Sequence, residues 1–294
     1  MILIIVLLLA ITACDKEATP STDTVKTITV AVSILPQKTF VEKIAGDLVH
    51  VVVLVPPGQN PATYQPTTKQ LQELSQASLL FTIGVPFEKA FLPVIKKTLP
   101  NLRIIKTDET TKKRTFRTSN QEKEEGKKED GTQKTIDPHI WMSPISVIKE
   151  TRIMTDALIS MDPSHEQIYH DGFTAYEKQL RDLDTELSET LEPLAGSTLL
   201  VYHPAFGYFA DRYALIQKAI EIGGKEPSPK ELEALITEVK SEDVSLIFVQ
   251  PEFNIKSAQV IADAIHAKVI TIAPLNEAYI DNLRHIAQVL KDTP

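Results

Sequence analysis

One long amphipathic helix near the middle of the chain constrains the fold more than any other sequence feature. Over residues 165–192, apolar side chains recur at spacings of three and four while charged residues fill the other positions: Tyr169, Phe173, Tyr176, Leu180, Leu183, Leu187 and Leu191. This is the periodicity of an α-helix with one buried face. At about 1.5 Å per residue the helix would be roughly 40 Å long, the width of a small protein. The pattern predicts a rigid strut lying along two lobes, with a coiled-coil seam as the alternative.

Short β-branched runs alternate with helical patterns on both sides of this segment. Strands are predicted at 27–33, 48–55, 79–83 and 102–105 before it, and at 198–202, 219–222, 244–249 and 268–272 after it. Helical patterns lie between them at 37–45, 67–76, 228–240 and 255–266, and a last one follows at 276–292. The βαβα order is typical of parallel sheets covered by helices. We therefore expect an α/β protein of two βα lobes, each with a parallel four-stranded sheet, joined by one long rigid helix.

The same pattern sets the expected domain boundaries. We predict an N-terminal lobe at 27–142, a helical region that includes the linking helix at 143–195, and a C-terminal lobe at 196–294. Within the first lobe, residues 108–135 are rich in Lys, Glu, Thr and Gly and almost lack apolar side chains. Such a segment cannot bury enough surface to fold, which predicts a mobile charged insertion. Because it contains no His, a solvated spacer is favoured over metal recruitment.

The first fourteen residues have the features of a targeting segment. Residues 1–10 form an unbroken apolar run that is too short to span a bilayer as a helix, and small residues then lead to Cys14. The pattern resembles a bacterial lipobox, in which the signal peptide, here 1–13, is removed and the Cys sulfur is acylated. Residues 14–26 would form a tether. We expect an extracytoplasmic protein anchored through Cys14 to the membrane, at the periplasmic face or cell surface; a buried N-terminal strand is the alternative.

Cysteine usage and net charge narrow the function classes. Cys14 is the only Cys in the chain, so no intramolecular disulfide can form and the core alone must stabilise the body. The net charge of −8 argues against nucleic acid as a partner.

Two histidines lie in loops expected at the tips of the lobes, beyond the carboxyl ends of the strands, where parallel α/β sheets bind ligands. One follows the predicted insertion and the other follows a predicted strand. His139 lies in the run DPHIWMSP and His203 in the run YHPAFGYF. Each is flanked by Pro and aromatic residues that would fix its backbone and exclude water, and neutral imidazole is a common ligand of zinc-like ions. Asp137 is close enough in sequence to orient an imidazole by hydrogen bonding. The sequence therefore predicts a metal site that uses His139 and His203.

The runs DPHIWMSP, HPAFGYFADRYAL, GGKEPSPKEL and IFVQPEFNIKSAQVIADAI resemble the zinc/manganese-specific substrate-binding lipoproteins of bacterial metal ABC transporters. The resemblance covers nearly the whole chain after the signal peptide. It implies a ligand cleft between two lobes, in which up to four side chains bind one Zn²⁺ or Mn²⁺, with His139 and His203 as two of them. The ion would be the transported ligand and no catalytic cofactor. The implied partners are a membrane permease and its ATPase, and the protein would be a monomer.

Two positions depart from the family pattern. Ala62 stands where the family usually has His, and Ala273 where it usually has Asp before Pro-Leu. Two imidazoles leave a tetrahedral ion with two open positions, so affinity should be weaker than in a complete site. Water, a small chelator or a nearby oxygen such as that of Glu277 or Gln65 would complete the shell. Alternatively the metal arrives chelated, and the space at the two alanines houses the chelator.

Other functions remain open at this point. The same scaffold could bind a metal chelate or a non-metal ligand, or serve as a surface adhesin or metal chaperone. A hydrolytic enzyme would use the open coordination positions for catalysis. The sequence has no HExxH pair and no carboxylate placed as an obvious general base, so no enzymatic activity is expected.

Overall fold

The computed structural model describes residues 27–116, 135–221, 224–242 and 244–292, which form two α/β lobes. The predicted signal peptide, Cys14 and the tether lie outside the described residues. Residues 117–134 of the predicted insertion lie outside them as well. Nothing in the described part of the chain combines the length and apolar composition that a membrane-spanning helix needs.

The first lobe contains a parallel four-stranded sheet in the order β2-β1-β3-β4. Its strands are β1 (Ile28–Val32), β2 (Val49–Val53), β3 (Leu79–Thr82) and β4 (Arg103–Lys106). Its helices are α1 (Leu35–Ala45), α2 (Thr68–Leu74) and α3 (Pro86–Thr98). All four residues of β3 are buried, as expected of an inner strand with both faces covered. Each predicted strand of this lobe is found. The first three are shorter than predicted by one to three residues, and β4 has the predicted length but begins and ends one residue later.

Two long helices, α4 (Pro144–Met161) and α5 (Glu166–Leu191), follow the first lobe. The bounds of α5 lie within one residue of the predicted amphipathic helix. With 26 residues, α5 is about 39 Å long. Its apolar stripe is buried, and α5 packs against α1 and α4 on one side of the molecule and on α9 (Tyr279–Lys291) near the C-terminus. The predicted strut is thereby confirmed.

The second lobe repeats the sheet order of the first, as β6-β5-β7-β8, with all pairs parallel. Its strands are β5 (Thr198–Val201), β6 (Ile216–Ala219), β7 (Leu246–Val249) and β8 (Lys268–Thr271). Besides α9, its helices are α6 (Gly207–Arg212), α7 (Pro229–Val239) and α8 (Lys256–Ile265). The prediction of a strand at 219–222 was wrong by three residues, because β6 is an edge strand whose partly exposed side chains give a weak apolar signal.

One apolar core runs through both lobes. It includes Phe81 of β3, Tyr176 of α5 and Phe248 of β7. Within this core the rings of Phe40 and Tyr279 meet edge to face, with centroids 5.1 Å apart. Sliding or separating the lobes would expose this shared surface to water, which costs about 25 cal/mol per Å² of apolar area. The shared core therefore opposes movement of one lobe relative to the other.

The first nine residues of the predicted insertion pack on the body, which differs from the expected mobile spacer. Thr111 is buried, the side chain of Arg114 is 13% exposed, and Thr115 forms an antiparallel bridge with Ile136. The composition of the segment did not predict this order, because ion pairs and hydrogen bonds hold Arg114 in place. Apolar burial, the signal read from the sequence, contributes little here.

The contact between α1 and α5 depends on Gly172. A Cβ atom built at Gly172 would lie 2.2 Å from the carbonyl oxygen of Ile44 and 2.8 Å from its carbonyl carbon. These are backbone atoms, so they cannot rotate away. Only glycine allows the two helices to approach this closely.

We predict that Gly172→Ala lowers the free energy of unfolding by about 1–3 kcal/mol, the usual cost of overpacking. A loss of stability would be diagnostic, because alanine inside a helix ordinarily stabilises it by about 0.5–1 kcal/mol relative to glycine. Urea denaturation followed by circular dichroism measures the effect. Thr174→Ala on the exposed side of α5 is the control and should be neutral or slightly stabilising. A Gly172→Ala protein more stable than the wild type would refute the close contact.

Candidate metal centre

The two histidines predicted from the sequence lie side by side in the structure. His203 follows β5 by two residues, and His139 precedes the short 3-10 helix Ile140–Met142 that leads into α4. Their Nε2 atoms are 3.3 Å apart. Two nitrogens bound to one tetrahedral zinc ion, each about 2.0–2.1 Å from the metal, lie roughly 3.3–3.4 Å apart. The observed separation thus suits two ligands of a single ion.

Each imidazole is held from behind by a carboxylate. Nδ1 of His139 lies 2.7 Å from Oδ1 of Asp137, and Nδ1 of His203 lies 2.8 Å from Oε2 of Glu221. Both acids are buried, Asp137 completely. A hydrogen on Nδ1 donated to a carboxylate leaves the lone pair on Nε2, which is the tautomer that metal ligation requires. Two such lone pairs on nitrogens 3.3 Å apart can be satisfied by a shared cation.

Burial and charge favour this protonation state. Burial lowers the pKa of His139, and this outweighs the opposing effect of Asp137, so the ring is neutral at pH 7. Burial alone would raise the pKa of Asp137, but the interactions with His139 and the Arg114 guanidinium outweigh it and hold that pKa below its ordinary value. The site therefore combines a neutral imidazole with an ionised carboxylate behind it, as a metal ligand and its orienting partner require.

Aromatic rings surround the pair and limit its contact with water. Phe253 stacks on His203 with centroids 4.9 Å apart and an interplanar angle of 17°. Trp141 and Phe116 lie against His139 at 5.1 and 6.1 Å. The backbone at His203 is fixed as well, since its N–H donates to the side chain of Gln250 and its carbonyl accepts from the same amide. The two rings are thereby restrained before any ion binds.

Glu277 and Gln65 are the supplementary ligands proposed from the sequence, and neither belongs to the histidine pair. The carboxylate of Glu277 forms an ion pair with Lys38, and its backbone carbonyl accepts a hydrogen bond from Thr39. Gln65 is exposed. Among the described residues, no group of three or more His, Cys, Asp or Glu side chains is arranged to hold a metal.

The two alanines at the family's other ligand positions differ in their surroundings. Ala62 is exposed, whereas Ala273 is half-buried and its carbonyl accepts a hydrogen bond from Asn282. Trp141, which contacts His139, donates its indole N–H to the carbonyl of the next residue, Pro274, at 2.9 Å. Ala273 is thus connected to the loop that carries His139.

Glu221 is a residue of the site that the sequence reasoning missed. The predicted strand at 219–222 places Glu221 inside the sheet, whereas the observed β6 ends at Ala219. Glu221 therefore emerges at the carboxyl end of β6, next to the end of β5 that leads to His203. The signal was available in principle, because adjacent parallel strands bring their carboxyl ends together.

Comparisons with known proteins agree with this architecture. A family model described as "ZnuA: Zinc-uptake complex component A periplasmic" matches residues 30–293. The high-affinity zinc uptake system protein ZnuA of Bacillus subtilis is 26% identical over 302 residues, which cover 97% of this chain and 94% of that protein. The manganese ABC transporter substrate-binding lipoprotein PsaA of Streptococcus pneumoniae is 26% identical over 282 residues, 92% and 87% of the two chains. A crystal structure of ZnuA matches with a TM-score of 0.82 and 34% identity, and covers 91% of this chain and 99% of its own.

We predict that Glu221→Gln weakens zinc binding roughly 10- to 100-fold, the usual effect of removing a ligand's hydrogen-bonding carboxylate. The amide can still accept the hydrogen bond, but it carries no charge to strengthen the imidazole as a ligand. Competition titration against a colorimetric zinc chelator measures the affinity. Glu186→Gln, which removes an exposed partner of Arg284 on α5, is the matched control and should leave the affinity unchanged. Equal affinities for both variants and the wild type would show that Glu221 has no part in metal binding.

Proposed function

Because the chain belongs to the ZnuA family of periplasmic zinc-uptake components, we propose that it captures a divalent transition metal for an ABC importer. In this proposal it is the extracytoplasmic solute-binding component, which delivers the ion to a membrane permease driven by an ATPase. The ion is cargo and takes part in no catalysis. The two relatives described above, a zinc uptake system protein and a substrate-binding lipoprotein of a manganese ABC transporter, support this assignment.

A single observation carries the proposal. The Nε2 atoms of His139 and His203 lie 3.3 Å apart, and each ring has its other nitrogen beside a buried carboxylate. The two histidines come from opposite lobes of one chain, so a monomer is sufficient to form the site. An ion bound between them would be held at the boundary of the lobes, where loop movement can admit and release it.

The donor set favours zinc over manganese. Imidazole nitrogen suits zinc, whereas manganese prefers carboxylate, carbonyl and water oxygens. Two imidazoles fill half of a tetrahedral zinc shell, and water or a small ligand that arrives with the ion takes the other two positions. Affinity is then lower than in a four-ligand site. A cargo site must also release its ion, and fewer protein ligands lower the cost of release.

The direct test is metal titration of the purified protein and of the single variants His139→Ala and His203→Ala. We predict one zinc ion per chain, tighter binding of zinc than of manganese, and a loss of at least 100-fold in zinc affinity for either variant. Isothermal titration calorimetry gives stoichiometry and affinity. Thermal denaturation should show stabilisation that grows with free zinc, by about 1.4 kcal/mol per tenfold increase above the dissociation constant.

His170→Ala is the matched control for that titration, because His170 is half-exposed on α5 and pairs with Glu166 away from the site. Its zinc affinity should equal that of the wild type. If the wild type binds no divalent transition metal, or if both site variants bind it as tightly as the control, the proposed function is wrong. The cleft would then serve a different ligand.

The proposed location is the outer side of the cell membrane, with Cys14 as a lipid anchor. The small residues before Cys14 and the polar residues after it support this proposal. PsaA, one of the relatives described above, is named a lipoprotein, which supports it as well. A lipid anchor would keep the binding protein close to its permease.

We predict that Cys14→Ser moves the protein from the detergent phase to the aqueous phase in a Triton X-114 partition of expressing cells. The thioether-linked lipid is the attachment that this substitution removes. Ser21→Ala, in the same predicted tether, is the control and should stay in the detergent phase. If Cys14→Ser also stays there, the protein is held at the membrane by something other than acylation of Cys14.

A further inference from the structure

Arg114 joins two carboxylates that belong to different parts of the site. Its Nη1 donates to Oδ2 of Asp137 at 2.6 Å, and its Nε donates to Oδ2 of Asp211 at 3.0 Å. Asp137 is the acid behind His139, and Asp211 lies on α6, the helix that follows the His203 loop. The side chain of Arg114 is 13% exposed, so water screens the pair with Asp137 only weakly.

The backbone around Arg114 is held as firmly as its side chain. Its N–H donates to the hydroxyl of Tyr208 at 3.1 Å, and that hydroxyl donates to the carbonyl of Asp137 at 3.2 Å. The N–H of Asp137 donates in turn to the carbonyl of Arg114 at 3.0 Å. A Cβ atom at Gly207 would lie 1.2 Å from Nη1 of Arg114, so the guanidinium occupies space that only glycine leaves free. A side chain at position 207 would therefore displace the guanidinium.

The two oxygens of Asp137 have separate partners. Oδ1 accepts from the ring Nδ1 and the backbone N–H of His139, while Oδ2 accepts from Arg114. A carboxylate bound on one oxygen alone could rotate about its Cβ–Cγ bond. With both oxygens bound its plane is fixed, and the direction of the His139 ring is fixed with it.

From this geometry we infer that Arg114 is a positioning residue, which holds the imidazoles of His139 and His203 at a separation that one divalent metal ion can bridge. It does so by joining Asp137, behind the first imidazole, to Asp211 on the helix after the second. This inference rests on the proposed function, because it assigns Arg114 a role in metal affinity. In this role Arg114 does not coordinate the ion and acts through Asp137.

The direction of the change in metal affinity on removing Arg114 distinguishes a positioning role from a purely electrostatic one. A positive charge near a cation site repels the cation. If charge were its only influence, removing Arg114 would tighten metal binding. Positioning predicts the opposite, since a misaligned imidazole loses more affinity than the removed repulsion restores.

The experiment compares zinc affinity, and zinc release into excess chelator followed by stopped flow, for the wild type, Arg114→Gln and Arg114→Lys. We expect Arg114→Gln to bind at least tenfold more weakly and to release zinc faster. Arg114→Lys should also be weakened although its charge is kept, because an ammonium group cannot reproduce two hydrogen bonds of fixed direction. Arg284→Gln is the matched control: Arg284 also pairs with two carboxylates, those of Glu186 and Asp281, and should not affect zinc.

A double variant tests whether Arg114 acts through Asp137. Adding Arg114→Gln to Asp137→Asn should reduce affinity by less than twofold beyond Asp137→Asn alone. Thermal denaturation of each metal-free variant verifies folding, and if Arg114→Gln does not fold, Asp211→Asn takes its place, with the contact to Asp137 intact. Zinc binding as tight as or tighter than in the wild type for Arg114→Gln, or a full additional loss in the double variant, would overturn the inference. Failure of the wild type to bind zinc would instead overturn the proposed function.

Discussion

The hydrogen bond from each imidazole Nδ1 to a buried carboxylate is the interaction on which the site depends. Asp137 and Glu221 favour the tautomer of His139 and His203 that leaves a lone pair on Nε2, and the two Nε2 atoms lie 3.3 Å apart. Burial of both acids makes these bonds strong, because little water competes for them. Phe253 stacks on one ring and restricts its rotation. The result is a pair of nitrogen donors whose spacing is set by the protein before a cation arrives.

The spacing of the two nitrogens is maintained only if the lobes do not move apart, and packing on α5 opposes that movement. It packs on α1 of the first lobe and on α9 of the second, so one apolar core is shared between them. A shift of 1 Å between the lobes would move the two nitrogens away from the separation that suits one ion. The close approach at Gly172 shows how little freedom the helices have. The packing of the linking helix thus helps to set the separation of the two histidines, which lie outside that helix.

The fold could be predicted from the sequence because its signals are local and periodic. The stripe of α5 and the β-branched runs are such signals, and the two loop histidines were found because each lies in a run of Pro and aromatic residues. Glu221 was missed because β6 is a half-exposed edge strand, and a register error of three residues placed the acid inside the sheet. Arg114 was missed because an ordered polar segment held by ion pairs has the composition of a disordered one. That the two histidines bind metal stays a prediction.

X-ray absorption spectroscopy of the zinc-loaded protein tests the central claim most directly, because it counts the ligands of the bound ion and gives their distances. Two imidazole nitrogens at about 2.0–2.1 Å, with the remaining positions filled by oxygen, are expected for an ion between His139 and His203. His203→Ala should then lose one imidazole from the shell. A zinc ion with no imidazole ligand, or one whose shell is unchanged by His203→Ala, would contradict the account.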